Sequence, residues 1–136
     1  MNKGARFREQ VLDEVFFGDP IRWTVPGGAF ELSLHTAEPE DDLGRLVAEV
    51  MYPGYQRVRL GRDRLTFSRL GNEVMSRIDA RFALCQTGPR LVASHWALTP
   101  SGDAVPTYRG ELDKPLTIEP GIRPVVDAGM IKVREK

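Results

Sequence analysis

The sequence predicts a mainly β fold, an antiparallel β-sandwich of jelly-roll-like kind preceded by one short amphipathic helix. Three observations carry this expectation. Beyond Pro20 the apolar residues recur with a period of two in many short segments; most of those segments are bordered by Gly, Pro, Asn or Asp; and no long helical pattern alternates with them, which disfavours a doubly wound α/β arrangement. At 136 residues and 41% hydrophobic content, a single domain with a real core is expected.

The helix comes first. Phe7, Val11, Leu12, Val15 and Phe16 recur at three- and four-residue spacing, and Gly18 and Pro20 supply the stop, so residues 1–18 read as a helix that is part of the domain or docked on it, and residues 19–136 as the sandwich. Its apolar face is wide and ends in the adjacent pair Phe16 and Phe17, costly to leave in water. It therefore covers the domain's own sheet or meets another subunit, which makes Phe7, Val11, Val15 and Phe16 the candidate interface residues.

Strands follow. In NEVMSRIDARFAL (72–84) Val74, Ile78, Ala80, Phe82 and Leu84 point one way while Arg77, Asp79 and Arg81 point the other, the clearest strand pattern in the chain. AFELSLHT, YQRVRLG, RLTFSRL, LVASHWAL, PLTIEP and MIKVRE behave alike. DDLGRLVAEVM (41–51) fits either a helical turn or a loop. The breaks at PGG, PG, GP, PSGD and PG are the size of hairpin connections.

Composition excludes several functions. Lys plus Arg equals Asp plus Glu at 19 each, so no overall field attracts nucleic acid or an anionic membrane. The single cysteine, Cys85, can form neither an internal disulfide nor a Cys-rich zinc site. The N-terminus lacks the apolar run of a signal peptide, and no stretch reaches the roughly 20 apolar residues of a membrane span.

Chemistry-bearing motifs are sparse. ELSLHTAEPEDD (31–42) runs from a strand through His35 into four acids, but the two histidines, His35 and His95, lie far apart and form no paired-ligand spacing. Calcium would need an alternating acidic loop with a glycine, whereas Pro39 interrupts the run. No nucleophile elbow or phosphate-binding glycine pattern is present. These absences predict no catalytic, cofactor-binding or metal-ligating residue. The arginines of RVRLGRDRLTFSR (57–69) read as a solvated or subunit-facing row. Trp96 and Tyr108, flanking the turn at 100–107, read as core aromatics or as a carbohydrate platform, and are the candidate ligand surface.

The order of segments is similar to a family of small structural proteins of tailed bacteriophages described as tail fibre or minor tail proteins. There a strand closes in LHTADPG and an E-V-x-G-x-x-Y-x-R segment follows; here Leu34, His35, Thr36, Ala37 and Pro39 match the first motif, and Glu49, Val50, Tyr55 and Arg57 the second. Ser94, His95, Trp96 and Leu98 fit a third, and Gly110, Leu112, Lys114, Pro115, Leu116, Gly121, Ala128 and Gly129 fit the closing region. Tyr52 stands where the family has glycine. The resemblance implies a non-enzymatic virion component, tail-associated and present in several copies, with LHTA-x-P marking a strand end and its turn. Capsid decoration, a head-to-tail connector and a glycan- or receptor-binding module are the alternatives. Expected partners are other virion proteins, copies of the chain itself and a host-surface glycan; no nucleic acid, membrane or cofactor is expected. The location the resemblance implies is the virion, after synthesis in the host cytoplasm.

Overall fold

The computed structural model describes residue 16, residues 29–100 and residues 108–134. It is mainly β and every strand pairing is antiparallel. In chain order the strands are β1 (Ala29–His35), β2 (Val58–Gly61), β3 (Phe67–Leu70), β4 (Glu73–Ser76), β5 (Ala80–Arg81), β6 (Leu91–Pro100), β7 (Tyr108–Ile118), β8 (Val125–Val126) and β9 (Lys132–Arg134). They form a four-stranded sheet in the order β2-β1-β6-β7, a three-stranded sheet β3-β4-β9 and a two-stranded sheet β5-β8.

β1 lies between β2 and β6, and six of its seven residues are buried. Phe30, Leu32 and Leu34 feed the core on one face, and Ser33 and His35 are buried on the other. Pairing runs from Phe30 opposite Pro100 to His35 opposite His95, which sets two distant segments in one register. The β3–β4 hairpin turns through Gly71–Asn72 with Gly71 at φ +62°, the glycine-first geometry that suits a two-residue hairpin. Apolar residues from all three sheets, among them Leu32, Phe67, Val74, Ala80, Ile118 and Val126, join one core with Phe82.

Several expectations need correction. The stretch 72–84 is two strands: the chain leaves the β3-β4-β9 sheet after Ser76 and re-enters order at Ala80, opposite Val126. The interruption is held by hydrogen bonds from Arg77 N–H to Thr66 O (2.7 Å), from Gly129 N–H to Ser76 O (2.8 Å) and from Ala128 N–H to Asp79 Oδ1 (2.8 Å). Val74, Ala80 and Phe82 are buried as the period predicts, but Ile78, inside the interruption, and Leu84, beyond β5, are exposed. Residues 41–51 form a loop, with isolated bridges between Glu40 and Leu46 and between His35 and Glu49.

Of the candidate interface residues, Phe7, Val11 and Val15 lie outside the described residues, as does the rest of the expected helix. Phe16 is fully buried, its ring 4.7 Å from Phe67, 5.2 Å from Phe30 and 5.4 Å from Tyr108. It packs within its own chain, where aromatic rings gain from tilted and edge contacts.

Candidate functional site

His35, Glu49, Tyr55 and Arg57 converge at the end of β1. Glu49 reaches back to β1 through its bridge to His35. Its carboxylate then takes both edges of the Arg57 guanidinium, from Nη2 to Oε1 at 2.9 Å and from Nε to Oε2 at 3.0 Å. Such two-pronged pairs are strong and fix orientation. Arg57 Nη1 also donates to Glu31 of β1 at 3.3 Å, and the Tyr55 hydroxyl donates to Glu49 Oε2 at 2.6 Å while accepting the Leu34 N–H at 3.3 Å. The Tyr55 ring lies parallel to Phe82 at 6.1 Å, so a core contact holds the polar tip in place.

His35 closes the cluster. Its Nδ1–H donates to Val47 O at 2.6 Å, which leaves Nε2 to accept from the Ser33 hydroxyl at 2.7 Å. Both ring nitrogens are engaged, so the histidine ties the 36–49 loop to the strand. Ala48, at φ +60°, turns the chain between the two anchors, and its carbonyl accepts the Thr36 N–H at 2.9 Å.

The charge states follow from these contacts. Burial holds His35 below the ordinary imidazole value, against the opposing pull of the Val47 carbonyl and Glu49. For Glu49 burial pushes upward, but hydrogen bonds from Arg57 and Tyr55 outweigh it and the carboxyl ends below the usual range. Tyr55 is driven far above a normal phenol, first by burial and then by the carboxylate beside it. Bonding to Glu49 raises Arg57 further. The cluster thus holds a fixed anion, a fixed cation and neutral Tyr and His side chains, each bonded to a neighbour, and its chemistry is that of a clamp.

The structure does bring the histidines together. His35 and His95 are direct partners across β1 and β6. His95 Nδ1, however, contacts Ser94 Oγ at 2.8 Å, and its Nε2 lies 3.7 Å from Glu111. Among the described residues no group of three or more His, Cys, Asp or Glu side chains is arranged to hold a metal ion. Three of the four acids after His35 are engaged as well: Glu38 and Glu40 bind Arg109 at 2.6 and 3.1 Å, and Asp41 binds Arg45 at 2.8 Å.

Of the two residues expected to form a ligand surface, Trp96 is buried. Trp96 is 3% exposed and sits under Gly110, where an added Cβ would come within 2.9 Å of its ring. The glycine is what lets β7 pass over the indole, and the ring offers no face to a sugar. Tyr108 is half-buried and stacks on Phe16. Arg57, expected in an outward row, is instead the centre of the clamp, whereas Arg59 is exposed. Composition and periodicity missed the clamp because its members alternate with apolar residues as any solvated strand does; the E-x5-Y-x-R spacing was the available signal.

One open groove, of about 560 Å3, is lined by Pro53, Gly54, Ala83, Leu84, Gln86, Thr87 and Arg123. No helix among the described residues is long and apolar enough to cross a membrane. No family model matches the chain, and a search of curated proteins returns no match.

Proposed function

We propose that the protein is a non-enzymatic structural component of a phage virion, tail-associated as a fibre, adaptor or minor tail protein, and that it acts through subunit contacts. The observation that carries this reading is the convergence of His35, Glu49, Tyr55 and Arg57, the residues of the two best-matched motifs, in a single clamp. Motif residues spent on holding a loop to a strand support a family whose shared residues build a scaffold. Three antiparallel sheets sharing one core support the finer reading of a sandwich, and the three- and four-residue spacing of Phe7, Val11, Leu12, Val15 and Phe16 supports residues 1–18 as its N-terminal helix. The burial of Trp96 counts against a glycan-binding module.

Mass spectrometry of purified particles, with copy number measured against the major capsid protein, tests the proposal. A few copies per particle are expected for a tail component. Copies approaching those of the capsid protein would move the chain to the head as a decoration protein, and absence from the particle would overturn the virion role.

A further inference from the structure

The chain after His35 folds back over the outer face of the four-stranded sheet. Ser33 on β1, Ala97 on β6 and Arg109 on β7 stand in one row of the strand register, two residues before β1 ends. Glu38 and Glu40 nevertheless reach the Arg109 guanidinium at 2.6 and 3.1 Å, so the turn crosses β6 above that row. Ser33 and Ala97 are fully buried although they lie on the face turned away from the core. The same face continues along β6 to Thr99, also fully buried, whose hydroxyl has no hydrogen-bond partner among the described residues.

The crossing segment meets its own backbone needs. Val47 N–H donates to Pro39 O at 2.8 Å, Asp41 N–H to Arg45 O at 3.0 Å and Gly44 N–H to Asp41 O at 3.0 Å, so lifting it off the sheet breaks none of these bonds. Of residues 36–49 only Pro39 is buried, and the strip beneath holds Ser33, His35 and Ala97, so little apolar area ties the two layers together. Its root is fixed: Thr36 N–H donates to Ala48 O at 2.9 Å, His35 Nδ1–H to Val47 O at 2.6 Å, and Glu49 is held by Arg57. Its outer end rests on ion pairs that stand in water, Arg109 being 48% and Glu38 58% exposed, and such pairs are weak.

We propose that residues 38–46 form a hinged flap, pivoting at Ala37 and Val47, that opens by release of Glu38 and Glu40 from Arg109 while the strands beneath stay folded. Val47 suits the pivot because its N–H bonds within the flap and its carbonyl bonds to the root. Hinges of this kind are a few residues at the ends of otherwise rigid pieces. Closed, the surface over β6 is made by the flap and its acids; open, it is the strip at Ser33 and Ala97 beside a released Arg109. The inference goes beyond the virion reading and stands with or without it.

Thiol labelling of the full chain with iodoacetamide, a neutral reagent, is the test. Ala97→Cys places a thiol under the flap, and Cys85, buried in the core, is the reference for global unfolding in the same molecule. Peptide mass spectrometry reads the two thiols separately, thermal melts check folding, and Ser33→Cys replaces Ala97→Cys if a sulfur at 97 does not fit. The covered thiol is expected to react at least about tenfold faster than Cys85 and to respond little to low urea, because opening exposes far less surface than unfolding. Val74→Ala weakens the core and should speed Cys85 without speeding the covered thiol. Arg109→Ala should speed the covered thiol about two- to fivefold, the range of an exposed ion pair. Added salt should speed it in the same sense while Arg109 is present and have no such effect in Arg109→Ala. A covered thiol that tracks Cys85 in urea and in Val74→Ala is reached only by global unfolding, and one indifferent to Arg109→Ala and to salt is reached without the latch. Either result overturns the inference.

Discussion

An arginine fastens the 36–49 loop to the sheet at each of two places, and the two fastenings differ in their access to water. At the Glu49 end, the Arg57 and Glu49 side chains are 28% and 20% exposed, and Tyr55 and His35 complete the network. At the Glu38 end, Arg109 and Glu38 are 48% and 58% exposed. The distances are similar, so length does not separate them. Burial does: a partly desolvated charge cannot recover its lost hydration if its partner is removed, while an exposed one can. The Glu49 end therefore sets where β1 stops, and the Arg109 end adjusts a loop whose course is already decided.

The comparison can be broken most severely at Glu49. Glu49→Ala leaves Arg57 and the Tyr55 hydroxyl without their shared acceptor, and a loss of about 2–3 kcal/mol is expected in a urea melt. A loss no larger than that of an Arg109 variant would mean the clamp is as solvated as the outer pair. Tyr55→Phe keeps the ring against Phe82 and removes only the hydroxyl that joins Glu49 to the Leu34 N–H, for about 1–2 kcal/mol. Arg109→Ala should cost less than about 1 kcal/mol, and the difference from wild type should shrink as salt is added. A salt-insensitive loss would show that Arg109 acts through packing.

Acid titration sharpens the same contrast. His35 is held below its ordinary 6.5, so the unfolded chain binds the proton first; the associated stability is complete above that value and is lost as pH falls toward the folded value. Glu49 is held below its ordinary 4.5, and its contribution is likewise complete above that value and lost as pH falls further. Chemical denaturation measured from about pH 7 down to about pH 3 should show two successive declines. His35→Gln is expected to remove the upper one and Glu49→Gln the lower; an unchanged upper decline in His35→Gln would assign it to another group.

Much of the fold could be read from residue order. Val74, Ala80 and Phe82 are buried because a period of two puts them on one face wherever the chain is extended. His35 ends a strand, as LHTA-x-P implied, because Thr36 and the loop beyond it turn away under the pull of Val47 and Ala48. The interruption at Ile78 was not legible, since it depends on Thr66 and residues 128–129 reaching the chain from elsewhere. Nor was the burial of Trp96, which needs Gly110 opposite it on the next strand.

By itself, then, the sequence determined a β-rich chain without a disulfide, a net charge of zero and the buried face at Val74, Ala80 and Phe82, because these depend on residue type and on neighbours along the chain. Tertiary structure alone decided that His35 faces His95, that Arg57 turns from a surface row to clamp Glu49, and that Phe16 packs among Phe30, Phe67 and Tyr108. Each of those outcomes joins residues between 8 and 92 positions apart, or 60 in the case of the two histidines, as the numbering gives by 57 − 49, 108 − 16 and 95 − 35. A periodic pattern reports which side of a strand is apolar; which strand lies beside it is decided by the packing of the whole core.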